Sequence, residues 1–217
     1  MSVSIVIPTY NRKIFETLLE HNINSQTYYN IKEIIILDDS DKDRPLCIRT
    51  LIPIRYYTVP RCTIGMKRNM GVKLAHGEYI AFMDDDDFYH PDYIAHSIFE
   101  MEYNNKSIAG SADMYMYNKE HKWFKQRCFF IHYLNEATMV FKKSAWTGFG
   151  DTNSNEAVPF LEKNIGNIVE TKIENLMCCV AHDNNTISKR AWFSDIYKAE
   201  PLPQYSKHIE ILSSLNI

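Results

Sequence analysis

No apolar run in this 217-residue chain is long enough to cross a bilayer. The longest aliphatic stretch, Ile34-Ile35-Ile36-Leu37, falls far short of the ~20 residues a membrane helix needs. No basic segment followed by an apolar one stands at the N-terminus, so no signal peptide is expected. A basic excess is also missing. The 24 Lys and Arg are outnumbered by 27 Asp and Glu, for a net charge of −3, which argues against nucleic acid as the main partner. Five cysteines cannot all pair, and Cys178 and Cys179 are adjacent. That excludes a disulfide scaffold and points to a reducing, cytoplasmic setting. Glycine is reduced to 7 residues against 14 tyrosines, a skew that low-GC coding produces and that says little about function. There is no repeat, low-complexity segment or linker. The remainder, 45% hydrophobic and 24% charged, is that of an ordinary globular protein.

The first half alternates between two periodicities. Residues 3–7 form a short, nearly all-apolar β-branched run, the pattern of a strand buried on both faces. Ile14, Phe15, Leu18, Leu19, Asn22 and Ile23 then recur at helical spacing. Residues 33–37, 54–59 and 78–83 read as further strands, and a helix bracketed by Gly65 and Gly77 places Met66, Met70 and Leu74 on one face. This alternation predicts a mostly parallel sheet covered by helices. After Pro91 a helix is expected over residues 92–104, strands over 107–117 and 128–141, and a helix over 156–163. The reading is a single α/β domain, with a nucleotide-binding first half (1–104) and a second half (105–217) for another substrate.

In open parallel sheets, ligands bind at the carboxyl ends of the strands. Three polar clusters fall there: Pro8-Thr9-Tyr10-Asn11-Arg12, Asp38-Asp39-Ser40 and Asp84-Asp85-Asp86-Asp87. Four adjacent carboxylates repel one another unless a cation neutralises them. A hard divalent ion held by one or two carboxylates and substrate phosphates meets that need.

Together with Gly65-x-x-Arg68-Asn69-x-Gly71 and Gly77-Glu78-Tyr79-Ile80-Ala81-Phe82-Met83, and with Pro91, these segments resemble the GT-A-fold, family-2 type inverting glycosyltransferases in order and spacing from residue 3 to about 94. The resemblance implies a GT-A-type sheet, a nucleotide-sugar donor such as a UDP-sugar, a glycan or glycoprotein hydroxyl as acceptor, and Mn²⁺ or Mg²⁺ as cofactor. It places Pro8, Thr9, Tyr10 and Arg12 around the nucleotide, Asp39 on the base, and Arg68 on the base or phosphates. Asp85 would lie near the ribose and Asp86 on the metal, with Asp84 and Asp87 as secondary candidates. A sugar-1-phosphate nucleotidyltransferase is the alternative enzyme, although Thr9-Tyr10-Asn11-Arg12 lacks the glycine-rich loop such enzymes carry. A non-catalytic carbohydrate-binding protein is the alternative outside catalysis.

Inversion in one displacement requires a carboxylate base at the acceptor hydroxyl. In the family it is the Asp of a Glu-Asp pair after a Gly-Gly-Phe-Asp segment. Here Gly148-Phe149-Gly150-Asp151 precedes Asn155-Glu156, so Glu156 takes the base position and Asp151 is the runner-up. His182, in the polar stretch after residues 177–181, is a candidate for completing the metal shell. Trp123, Trp146 and Trp192 are expected to pack in the core, with sugar stacking as the alternative.

Overall fold

The computed structural model describes residues 1–41, 45–118, 120, 122–127, 133–183, 185–186 and 197–215. In chain order the elements that build the site are β1 (Val3–Thr9), α1 (Glu16–Ser25), β2 (Ile31–Asp38), β3 (Ile54–Thr58), α2 (Ile64–Leu74), β4 (Tyr79–Phe82), β5 (Phe88–Tyr89) and α3 (Tyr93–Tyr103). They continue with β6 (Ile108–Gly110), β7 (Asp113–Asn118), β8 (Trp123–Arg127), β9 (Val140–Lys142), α4 (Val158–Glu162), β10 (Ile168–Glu170), β11 (Met177–Ala181) and α5 (Ser206–Ser214).

A seven-stranded sheet in the order β10-β6-β9-β4-β1-β2-β3 forms the centre. All its pairings are parallel except those of β9, which runs against both β4 and β6. Period-two alternation divides the core. Ile5, Ile7, Ile34 and Ile36 face α1, α3 and α5, while Val6, Ile35, Leu37, Ile80 and Phe82 face α2 and α4. Both faces are covered, which is why β1 and β2 carry apolar residues without a polar side. A four-stranded sheet, β5-β11-β7-β8, packs at one side.

One acid interrupts this apolar layer. Glu33 on β2 is buried and accepts hydrogen bonds from the Ser4 hydroxyl (2.7 Å), the His76 N–H (2.6 Å) and Arg55 (2.9 Å). Burial opposes its ionisation, but the donors overcome that cost and hold its pKa down to about 2. The pairings tie β1, β2, β3 and the turn after α2 together.

The second half differs from its sequence pattern. The 107–117 segment divides into β6 and β7. Of the 128–141 strand, residues 128–132 lie outside the described residues, and from Tyr133 the chain forms a loop and a 3₁₀ turn (Glu136–Thr138) before β9. The helix expected from residue 156 begins at Val158, leaving Glu156 in the preceding turn. α2 is rotated relative to the methionine stripe. Met66 is 41% exposed, whereas Gly65, Arg68, Gly71 and Val72 are buried. Glycine is what permits this packing, since a Cβ on Gly71 would come within 2.3 Å of Val6 Cγ1. Trp123 is buried in the core against Tyr117, as expected; Trp192 lies outside the described residues.

Candidate active site

The carboxyl ends of β1 and β4 open into a cleft of about 1080 Å³, whose far wall comes from β7, β8 and the 133–137 and 153–156 loops; Asp39, at the end of β2, lies behind the lining. Pro8, Thr9, Tyr10, Arg12, Arg68, all four aspartates 84–87 and Glu156 line it. Asn11 takes a left-handed conformation (φ 53°), and its N–H donates to the Ser40 hydroxyl at 2.7 Å. Asparagine tolerates that conformation better than most residues, and Arg12 follows the turn back over the aspartates.

The four acids do four different things. Asp84 accepts from Arg68 at 2.9 Å. Asp85 is 4% exposed, its Oδ2 has no hydrogen-bond partner, and Arg12 approaches the other oxygen only to 3.8 Å. Burial first, and then the charge of Asp86, push its pKa well above the carboxylate range. Asp86 lies 3.3 Å from Arg12 and 2.9 Å from His182 Nε2. Asp87 accepts from the Val180 N–H at 2.8 Å and so fixes the strand that delivers His182. Among the described residues no cluster of three or more His, Cys, Asp or Glu is arranged to hold a metal. A divalent ion beside a diphosphate needs only one or two protein carboxylates. The unsatisfied Asp85 oxygen and the neighbouring Asp86 carboxylate are the one or two oxygen donors that such an ion needs.

Asp39 is placed differently from a free base reader. Its oxygens accept from Lys67 Nζ (2.6 Å), Arg61 (2.7 Å) and the Cys62 N–H (3.0 Å). Burial works against its charge, yet these donors, Lys67 foremost, lower its pKa. A nucleobase reaching Asp39 must displace or share a donor. Arg61 is the exposed one (side chain 57%) and lies 3.5 Å over the Tyr10 ring. Lys67 and Arg61 fall outside the motifs that the sequence offered.

At the other end of the cleft, Arg68 is 2% exposed and pairs with both Glu156 and Asp84 over the Phe82 ring. Burial disfavours its charge, but the two carboxylates more than compensate and raise its pKa. Glu156, the expected base, is thus ion-paired. Asp151 does not line the cleft; it accepts from the Thr63 hydroxyl at 2.6 Å, beside the start of α2. Thr152 O and Asn153 Oδ1 take the Gly65 and Ile64 N–H groups there, so this loop caps the helix. One acid of the lining had no sequence signal: Glu136, held beside Glu156 and Arg68 with its pKa raised to about 7 by burial and by the Glu156 charge. It sits within residues 128–141, which the sequence pattern reads as a strand, so nothing marked it as part of a site loop.

The sequence model for glycosyl transferase family 2 matches residues 4–155. The chain belongs to this family. An uncharacterized glycosyltransferase of Rickettsia conorii is 35% identical over 100 residues, 44% of this chain and 16% of that relative. A poly(ribitol-phosphate) beta-glucosyltransferase of Bacillus spizizenii is 35% identical over 96 residues, 41% of this chain and 15% of the relative. This chain thus spans only a small part of the length of these two relatives. S. aureus TarS 1–349 superposes with a TM-score of 0.66 at 17% identity, covering 83% of this chain and 60% of that one, and has been solved with UDP-GlcNAc. The mannosyltransferase PcManGT of Pyrobaculum calidifontis, solved with GDP-Man and Mn²⁺, gives a TM-score of 0.63 at 12% identity over 99% of this chain and 70% of that one. At these identities the likeness establishes the fold, the GT-A architecture expected of the family. No described helix is long and apolar enough to cross a membrane.

Proposed function

We propose that the protein is a metal-dependent inverting glycosyltransferase that moves a sugar from a nucleotide sugar, preferentially a UDP-sugar, to a hydroxyl of a glycan or glycoprotein. One observation carries this reading: Asp85 is buried at the mouth of β4 with one oxygen unpartnered and Arg12 no nearer than 3.8 Å to the other, on the cleft wall that the Thr9–Arg12 turn also lines. Like charges held in a dry site persist when a ligand brings the missing cation.

Asp86 and His182 would hold the ion, with Asp85 beside it, and a bound Mn²⁺ or Mg²⁺ offsets the negative charge that develops on a departing diphosphate. Arg12 lies within reach of the same phosphates and adds a second positive charge. Tyr10 and Arg61 offer a stacked surface for the base, and Asp39 with Lys67 an acceptor and a donor for its edge. The carboxylates of the far wall, Glu156 and Glu136, face the space left for the acceptor. UDP in the TarS structures and GDP in the mannosyltransferase both support a nucleoside diphosphate donor.

The test is a thermal-shift panel of UDP-GlcNAc and GDP-mannose, with Mn²⁺ or with EDTA. At a hundredfold excess over Kd a ligand stabilises by about 2.7 kcal/mol, or about 5–10 °C for a chain of this size. EDTA should remove most of that shift, because the diphosphate and Asp85–Asp86 repel without a cation. A shift that survives EDTA refutes the metal bridge, and release of pyrophosphate when UTP and a sugar 1-phosphate are supplied would indicate nucleotidyl transfer instead.

A further inference from the structure

The cleft contains two acceptor-side acids in contrasting circumstances. Glu156 is committed to the buried guanidinium of Arg68. Glu136 has no ion pair within 4 Å among the described residues, and it lines the cleft. The turn that carries it is tied down by hydrogen bonds. Asn135 Oδ1 takes the Ala137 N–H at 3.2 Å, Thr138 Oγ1 donates to Asn135 O at 2.6 Å, and the Ser111 N–H donates to Thr138 Oγ1 at 2.9 Å. On the same wall, Asn135 Nδ2 and Gln126 Oε1 are buried with no hydrogen-bond partner. A donor and an acceptor left open in a cleft suit a ligand rich in hydroxyls.

We propose that Glu136 takes the proton of the acceptor hydroxyl, and that Glu156 is a positioning residue that acts on it through space and through Arg68. This rests on the transferase reading above. The bond between acceptor oxygen and anomeric carbon forms as that carbon's bond to the diphosphate oxygen breaks. The electron pair leaves with the nucleoside diphosphate, and the hydroxyl proton passes to a Glu136 Oε. Burial and the neighbouring Glu156 bring Glu136 to about 7, where a general base combines ionisation with proton affinity at working pH. The charged groups around Glu136 are Glu156 ahead of α4 and Arg68 on α2, itself paired to Asp84 after β4. The Tyr89 hydroxyl supports the same turn by donating to Ala137 O at 3.0 Å.

The experiment follows hydrolysis of UDP-GlcNAc and GDP-mannose with Mn²⁺, water standing in as acceptor, across the pH range for the parent, Glu136→Gln and Glu156→Gln. UDP and GDP binding is measured in parallel by thermal shift. The parent should show an ascending limb near pH 7. Glu136→Gln should bind nucleotide normally, lose at least about a hundredfold in rate and lose the limb. Glu156→Gln should keep the limb but move it to lower pH, because the like charge that raises Glu136 is gone. If Glu136→Gln does not fold, the displacement in Glu156→Gln decides: a limb that stays in place overturns the proposal. So does a Glu136→Gln enzyme within threefold of the parent while binding is intact. A parent that binds neither UDP nor GDP overturns the transferase reading, and this one with it.

Discussion

Replacing Arg68 by methionine removes the cation that two carboxylates of the cleft share. Glu156 is left with a side chain 4% exposed and no counter-charge, whereas Asp84, 28% exposed, keeps some access to water. Breaking a buried pair by deleting one partner costs about 3–5 kcal/mol. Glu156 accounts for most of that, because a partly solvated carboxylate loses less. At about 2–4 °C per kcal/mol for a chain of this length, Arg68→Met should lower Tm by roughly 6–20 °C. Methionine fills a similar volume over Phe82, so the loss is electrostatic in origin. The double variant Arg68→Met/Glu156→Gln tests that directly. With both charges removed, the site becomes a neutral buried patch, and about half of the lost stability should return. Urea unfolding of the parent, both single variants and the double variant gives the coupling energy. Equal instability of Arg68→Met with and without Glu156→Gln refutes the shared-cation argument. Arg68 also draws Glu136 toward ionisation, so the pH-rate limb of a surviving Arg68→Met should move upward.

Two further outcomes follow from packing and linkage. A Cβ on Gly65 would lie 1.9 Å from Gly150 O and 3.0 Å from Glu156 Cβ. Gly65→Ala should therefore cost about 1–3 kcal/mol and displace the loop bearing Glu156, whereas Gly166→Ala, with nothing within 4 Å of its Cβ, should melt like the parent. Glu33 is depressed from 4.5 to about 2 in the folded state, so its contribution is complete above pH 4.5 and is lost as pH falls toward 2. Equilibrium unfolding across that window should show a slope of up to ~1.4 kcal/mol per pH unit that Glu33→Gln flattens; an identical acid slope in the variant refutes the assignment.

Much of the molecule was legible before any coordinates. β1 and β2 are apolar at nearly every core position, Ser4 and Glu33 excepted, so their burial on both faces follows from the apolar run, and the three polar clusters fall at strand ends because each apolar run stops there. The meaning of the individual acids was not legible. Asp84 to Asp87 are equivalent as sequence, and only position in space makes one a partner of Arg68, one unsatisfied, one a neighbour of His182 and one an anchor of β11. The phase of α2 misled for a related reason. Apolarity marked Met66, Met70 and Leu74, but close approach to β1 selects glycine, and a pair of buried carboxylates selects arginine.

The sequence by itself determined the alternation of strands and helices, the edge of the sheet that holds polar groups, and the chemistry available there, since these depend on neighbours along the chain. Which carboxylate is neutralised and which is left to move a proton was decided by tertiary structure. Residues 68, 84, 136 and 156 lie on four separate segments, and their charges interact only once the fold has brought them together in the cleft wall, where Arg68 and Glu156 are shielded from water.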